Sequence, residues 1–136
     1  MTTPKTEAKK VLVLLNDSDP LLNRVVKNKL NKEKSWECIT SISYDDALNF
    51  FKTAKPDMVI TEVLITDYKN RTGIELIAEM RSMENNTGAQ VPMIVFTELD
   101  DDKSHEEAVR LGATACFSKN HLSLNEFLDE IQKHMS

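Results

Sequence analysis

The chain has 136 residues, of which 40% are apolar and 29% charged, with a net charge of −5. That length suits one domain with a core of its own, and the composition excludes fibrous and disordered classes. The acidic balance argues against a nucleic-acid partner, no apolar run approaches a membrane span, and the polar N-terminus lacks a signal-peptide segment. Residues 1–9 read as a flexible tail and 10–136 as one domain. Cys38 and Cys116 lie in strand-like runs without ligand spacing, which predicts buried, reduced thiols and a cytoplasmic protein.

Val11-Leu12-Val13-Leu14-Leu15 is a continuous apolar run, the pattern of a strand covered on both faces. Asp19-Pro20 then predicts a helix start, with Asp as the cap and Leu22, Val25, Val26 and Leu30 as the apolar stripe. Trp36 to Ile42 is the second expected strand. Ser43 and Asp46 have capping-box-like spacing, and Tyr44, Ala47, Leu48 and Phe51 repeat at helical period. Asp57 to Val63 is the third strand, followed by a polar loop, Thr66 to Thr72. Ile74, Ile77 and Met80 mark the third helix.

Pro92 precedes the fourth strand, Met93 to Thr97. An acidic turn leads into a helix that stops near Gly112. Ala113 to Ser118 is the fifth strand. Ser123 and Glu126 form a capping box, Leu122 and Phe127 a hydrophobic staple, and Leu124, Leu128, Ile131 and Met135 the last apolar stripe. Five strands alternating with five helices predict an α/β, flavodoxin-like doubly wound sheet of five parallel strands in the order 2-1-3-4-5.

In this topology the carboxyl ends of the strands collect Asn16, Asp17, Ser18 and Asp19, then Glu62, then Thr97 and Glu98, then Ser118 and Lys119. Asp17 and Glu62 are candidate oxygen ligands for Mg²⁺. Thr97 and Lys119 suit an anionic oxygen. The plainer reading is a buried Lys–Glu pair that satisfies the sheet edge. No Gly-rich phosphate loop or nucleophile elbow occurs, so a small α/β enzyme is a weak alternative. His105, His121 and His134 lack metal-ligand spacing and read as surface or capping residues.

The order and spacing of Val11–Leu22, Pro56–Glu62, Val91–Thr97 and Leu111–Lys119 resemble the receiver domains of two-component signalling. The resemblance runs from Lys10 onward and is strongest at Pro56-Asp57-Met58-Val59-Ile60, Thr97 and Leu111-Gly112-Ala113. It implies an acidic pair for Mg²⁺ after strand 1, falling on Asp17-Ser18 or Asn16-Asp17, so that only one acid of the pair survives. It implies a phosphate-accepting Asp after strand 3, loaded by a histidine kinase, and phosphate contacts from Thr97 and Lys119. It also implies an aromatic switch residue three positions before Lys119.

The departures agree with one another. Glu62 stands at the phosphoacceptor position, Cys116 at the aromatic switch position, Asn120 in place of the usual Pro, and Glu98 where a small residue is typical. The loop after Glu62 is about three residues long in excess. An added methylene moves the carboxylate by roughly an ångström, which in-line transfer does not tolerate well. A lost metal ligand and the charge of Glu98 act in the same direction. The expectation is a pseudo-receiver: a non-enzymatic signalling module, not phosphorylated at Glu62, acting through protein contacts. Its partners would be a histidine kinase, a phosphotransfer protein, an output protein or a second copy.

By resemblance the contact face is helix 4, strand 5 and helix 5. The loop Asp67-Tyr68-Lys69-Asn70-Arg71, with an aromatic and two cations, is another. The alternative function is a working receiver that takes phosphate at Glu62, Ser18 or Thr66. Two charge clusters, basic at Lys27, Lys29, Lys32 and Lys34 and acidic from Glu98 to Glu107, are solvated faces or steer a partner.

Overall fold

The computed structural model describes residues 9–14, 20–33, 36–84 and 90–135. The expected ends and ligands at Leu15, Asn16, Asp17, Ser18 and Asp19, the side chain of Leu22, and Lys34 lie outside the described residues.

The elements run β1 (Lys10–Leu14), α1 (Pro20–Glu33), β2 (Glu37–Thr40), α2 (Tyr44–Ala54), β3 (Met58–Thr61), α3 (Gly73–Met83), β4 (Met93–Thr97), α4 (Asp102–Arg110), β5 (Ala115–Ser118) and α5 (Leu124–Met135). All four strand pairings are parallel, and the sheet order is β2-β1-β3-β4-β5. The expected architecture is therefore the observed one.

The two-residue period of the strands divides the core into two layers. Leu12, Leu14, Val59 and Val95 face α2, α3 and α4, where they meet Ala47, Phe51, Leu76, Ile77, Met80 and Ala108. Val11, Val13, Met58, Ile60, Ile94 and Phe96 face α1 and α5, packing on Val26, Leu30, Phe127, Leu128 and Ile131. Phe96 stacks on Phe127 with ring centroids 3.9 Å apart. Burial on both faces explains why these strands read as continuous apolar runs.

Three strands are shorter than their apolar runs. β2 pairs only with β1, from Lys10↔Glu37 to Val13↔Thr40, so Trp36 and Ile42 fall outside the ladder, and Ile42 is 77% exposed. Asp57 and Val63 flank β3. Ala113 and Thr114 precede β5 in a turn that Gly112 makes at φ 129°. Helix starts follow local chemistry. The hydroxyls of Ser43 and Thr72 accept from Asp46 N–H and Glu75 N–H, and Asp101 accepts from Ser104 N–H. Ser123 and Glu126 form the reciprocal capping box. Cys38 is buried, whereas Cys116 is only half-buried, and both are free thiols.

Candidate functional site

Parallel pairing delivers the strand ends to one rim. Glu62 N–H donates to Leu14 C=O at 3.1 Å and Lys119 N–H to Thr97 C=O at 2.7 Å, so both backbones continue the ladder one residue past their strands. Thr97 is itself the last residue of β4 and is buried. Glu62, Thr97 and Lys119, expected together from sequence, do share this rim.

Their side chains meet in a specific way. Lys119 Nζ lies 2.8 Å from Glu62 Oε2, and the two side chains are only 12% and 4% exposed. The other carboxylate oxygen, Oε1, accepts from Val63 N–H at 2.8 Å. Both oxygens of Glu62 are thus engaged by the chain itself. The Lys119 ammonium also sits 5.8 Å from the Phe96 ring centroid. A glutamate is long enough to make this bridge from the end of β3. It does not engage Thr97. The Thr97 hydroxyl oxygen instead accepts from Leu99 N–H at 3.2 Å.

The backbone behind Glu62 is packed tightly. Gly73 N–H donates to Val63 C=O at 2.8 Å. A Cβ at position 73 would lie 1.8 Å from the Glu62 carbonyl oxygen. Glycine is required there by close approach of two backbones.

A divalent cation fits poorly with the donors described. Among the described residues no group of three or more His, Cys, Asp or Glu side chains could hold a metal ion. Of the described acids near this rim, Glu62 already has both oxygens committed. Asp17 and Ser18 lie outside the described residues. No chemical step is therefore assigned to Mg²⁺.

Cys116 pairs in register with Val95. Burial, and after it the negative charge of Glu62, pushes its thiol up to about 11. Burial likewise lifts Cys38 to about 11, so neither is a ready thiolate at neutral pH.

The long loop after β3 corrects one expectation. Arg71 is not a cation offered to a partner. Its guanidinium bonds both oxygens of Asp67, pairs with Asp45 at 3.1 Å and stacks 3.7 Å from the Tyr44 ring centroid. Asp67 also accepts from Lys69 N–H and Arg71 N–H. The hydrogen bonds from Arg71 hold the Asp67 carboxyl down at about 2. Burial, ahead of the nearby Glu79 charge, lifts the Tyr44 phenol to about 12. Tyr68 remains outward, 75% exposed. An Asp followed by a polar stretch is an Asx-turn signal, which was the available clue to this knot.

A second cluster was also missed. Asp100 accepts hydrogen bonds from Ser118 Oγ and, at 3.1 Å, Asn120 Nδ2, and its carboxyl is held below the ordinary range first by Ser118 and then by Asn120. The His105 ring contacts Leu99 C=O at 2.6 Å, a loop-bracing role beyond the surface or capping role expected.

The family model described as "Response regulator receiver domain" matches residues 13–132, and the chain belongs to that family. No curated protein matches. Among solved structures it is similar to the BeF3-activated N-terminal receiver domain of Klebsiella pneumoniae RstA, with 22% identity, TM-score 0.76, and 92% of this chain and 97% of that one covered. It is also similar to the receiver domain of Francisella response regulator 1452, with 20% identity, TM-score 0.78 and coverages of 93% and 96%. A LuxR-family two-component response regulator from Aurantimonas sp. SI85-9A1 matches at 13% identity and TM-score 0.79, covering 95% and 86%. At these identities the structural likeness speaks to the fold. Family membership makes the chain a signalling module rather than a conventional catalyst.

Proposed function

We propose, from that family membership, that this chain is a signalling module whose phosphoacceptor position is closed by its own Glu62–Lys119 pair. It would work through protein contacts without phosphorylation at Glu62. The observation that carries the reading is the 2.8 Å contact between two almost fully covered charged groups. The cation that would neutralise a phosphoryl oxygen is already neutralised by Glu62. To accept phosphate, Glu62 would have to leave both Lys119 and Val63 N–H and then attack from a longer side chain. Positioning is most of what this chemistry asks of a protein, and each change costs positioning. Partners are expected among histidine kinases, phosphotransfer proteins and output proteins of the two-component type, or a second copy. Among the described residues no helix is long and apolar enough to cross a membrane.

A second reading has its own support. The family's ordinary members are phosphorylated, and two matched structures are BeF3-activated receivers. On that basis alone a working phosphoacceptor is favoured. Incubation with Mg²⁺ and a small phosphodonor, followed by intact-mass measurement, separates the two. The closed-site reading predicts no added phosphoryl group in wild type. A stoichiometric phosphoryl adduct, mapped to Glu62, would establish the working receiver.

A further inference from the structure

We propose that Asp100 is a latch that fastens the loop after β4 to the turn after β5, holding that loop in one position. This goes beyond the Glu62–Lys119 closure and does not depend on it. The loop, residues 98–101, begins directly after Thr97, and Leu99 N–H donates to the Thr97 hydroxyl oxygen at 3.2 Å. Displacement of that hydroxyl without the loop would break this hydrogen bond.

Every residue of the loop is tied. Glu98 C=O accepts from Asn120 Nδ2 at 3.3 Å. Leu99 C=O meets the His105 ring nitrogen at 2.6 Å. Asp100 takes Ser118 Oγ on one oxygen and Asn120 Nδ2 on the other, with His121 Nε2 3.7 Å away. Asp101 caps α4 through Ser104 N–H and Ser104 Oγ, and its C=O accepts from His105 N–H. Asp100 is the member that crosses to the other strand end with two side-chain partners at once. Ser118 Oγ also accepts from Asn120 N–H at 3.2 Å, which closes the ring.

The latch depends on Asn120. A proline at position 120 would supply no side-chain donor for Glu98 C=O or for Asp100. The ties are charge-assisted where Asp100 accepts, and such bonds are the stronger kind. Because Ser118 immediately precedes Lys119, the same contact also fixes the stem from which the Lys119 side chain extends.

The test is backbone amide exchange by NMR in wild type, Asp100→Ala and Asn120→Ala. Asp100 and Asn120 are at or near the surface, so both variants should fold. The expected result is exchange roughly three- to tenfold faster at Leu99 and Asn120 in both variants, the scale of losing one or two such bonds. Amides of the central strands, such as Ile60 and Val95, should not change. Unchanged rates at Leu99 and Asn120 would overturn the latch. A uniform rise that includes the strand amides would also overturn it, because it would report global destabilisation. None of these outcomes alters the phosphodonor result, so the two proposals fail separately.

Discussion

Replacing Lys119 with Met probes the buried pair most sharply. Met keeps most of the apolar stem but removes the cation, leaving the carboxylate on Glu62, whose side chain is 4% exposed. Removing one partner of a buried ion pair costs about 3–5 kcal/mol. Two features reduce that here. Glu62 Oε1 keeps its bond from Val63 N–H, and the Lys119 side chain is 12% exposed, which lets some water in. The expected loss is about 2–4 kcal/mol. With a urea slope of about 2 kcal/mol per M, the unfolding midpoint should fall by about 1–2 M with the slope unchanged. The double variant Glu62→Leu with Lys119→Met removes both charges together and should recover to within about 1 kcal/mol of wild type, since apolar replacement of a buried pair is often neutral. A loss below about 1 kcal/mol for Lys119→Met alone, or no recovery in the double variant, would refute the claim that these groups form a mutually dependent buried pair.

Two further changes test neighbouring parts of the site. Gly73→Ala should destabilise by at least about 2 kcal/mol, as an overpacked contact does, because the new Cβ would lie 1.8 Å from the Glu62 carbonyl oxygen. Thermal or urea unfolding reads this directly, and a neutral result would show that the loop backbone gives way easily. Asp67→Asn tests the knot in the long loop through pH. Arg71 holds the Asp67 carboxyl at about 2, below its ordinary value of 3.8. Its stabilising contribution is therefore complete above pH about 4 and lost as pH falls towards 2. The gap in urea midpoint between wild type and Asp67→Asn should be constant from pH 7 to about 5 and shrink between about 4 and 2. A gap independent of pH would mean that the Arg71 contacts add nothing to folding.

The fold was legible because its signals are periodic. Val11 to Leu14, Met58 to Thr61 and Met93 to Thr97 are largely apolar on both sheet faces, and α2 and α5 each carry an apolar stripe that starts at a recognisable cap. Strand ends were less legible. Ile42 is as apolar as Ile39, yet β2 has a neighbour on one side only and its ladder ends at Thr40. The rim was legible in part, since strand order alone brings Glu62, Thr97 and Lys119 together. Side-chain geometry was not. Whether a carboxylate takes Lys119, Thr97 or its own Val63 N–H depends on rotamers that no spacing encodes. The same holds for Asp100, which sits in an acidic run that reads as solvated surface yet crosses to Ser118 and Asn120. Arg71 looked available because sequence shows its charge and not the ring of Tyr44 beneath it.

The central claim is that the Glu62–Lys119 pair closes the phosphoryl site. The most direct measurement is backbone amide NMR with and without Mg²⁺ plus beryllofluoride, a mimic of the acyl phosphate. Closure predicts no shifts at Glu62, Thr97 or Lys119 up to millimolar additions. Saturable shifts at those residues, spreading into α4 and β5, would contradict it and identify a phosphate-responsive receiver.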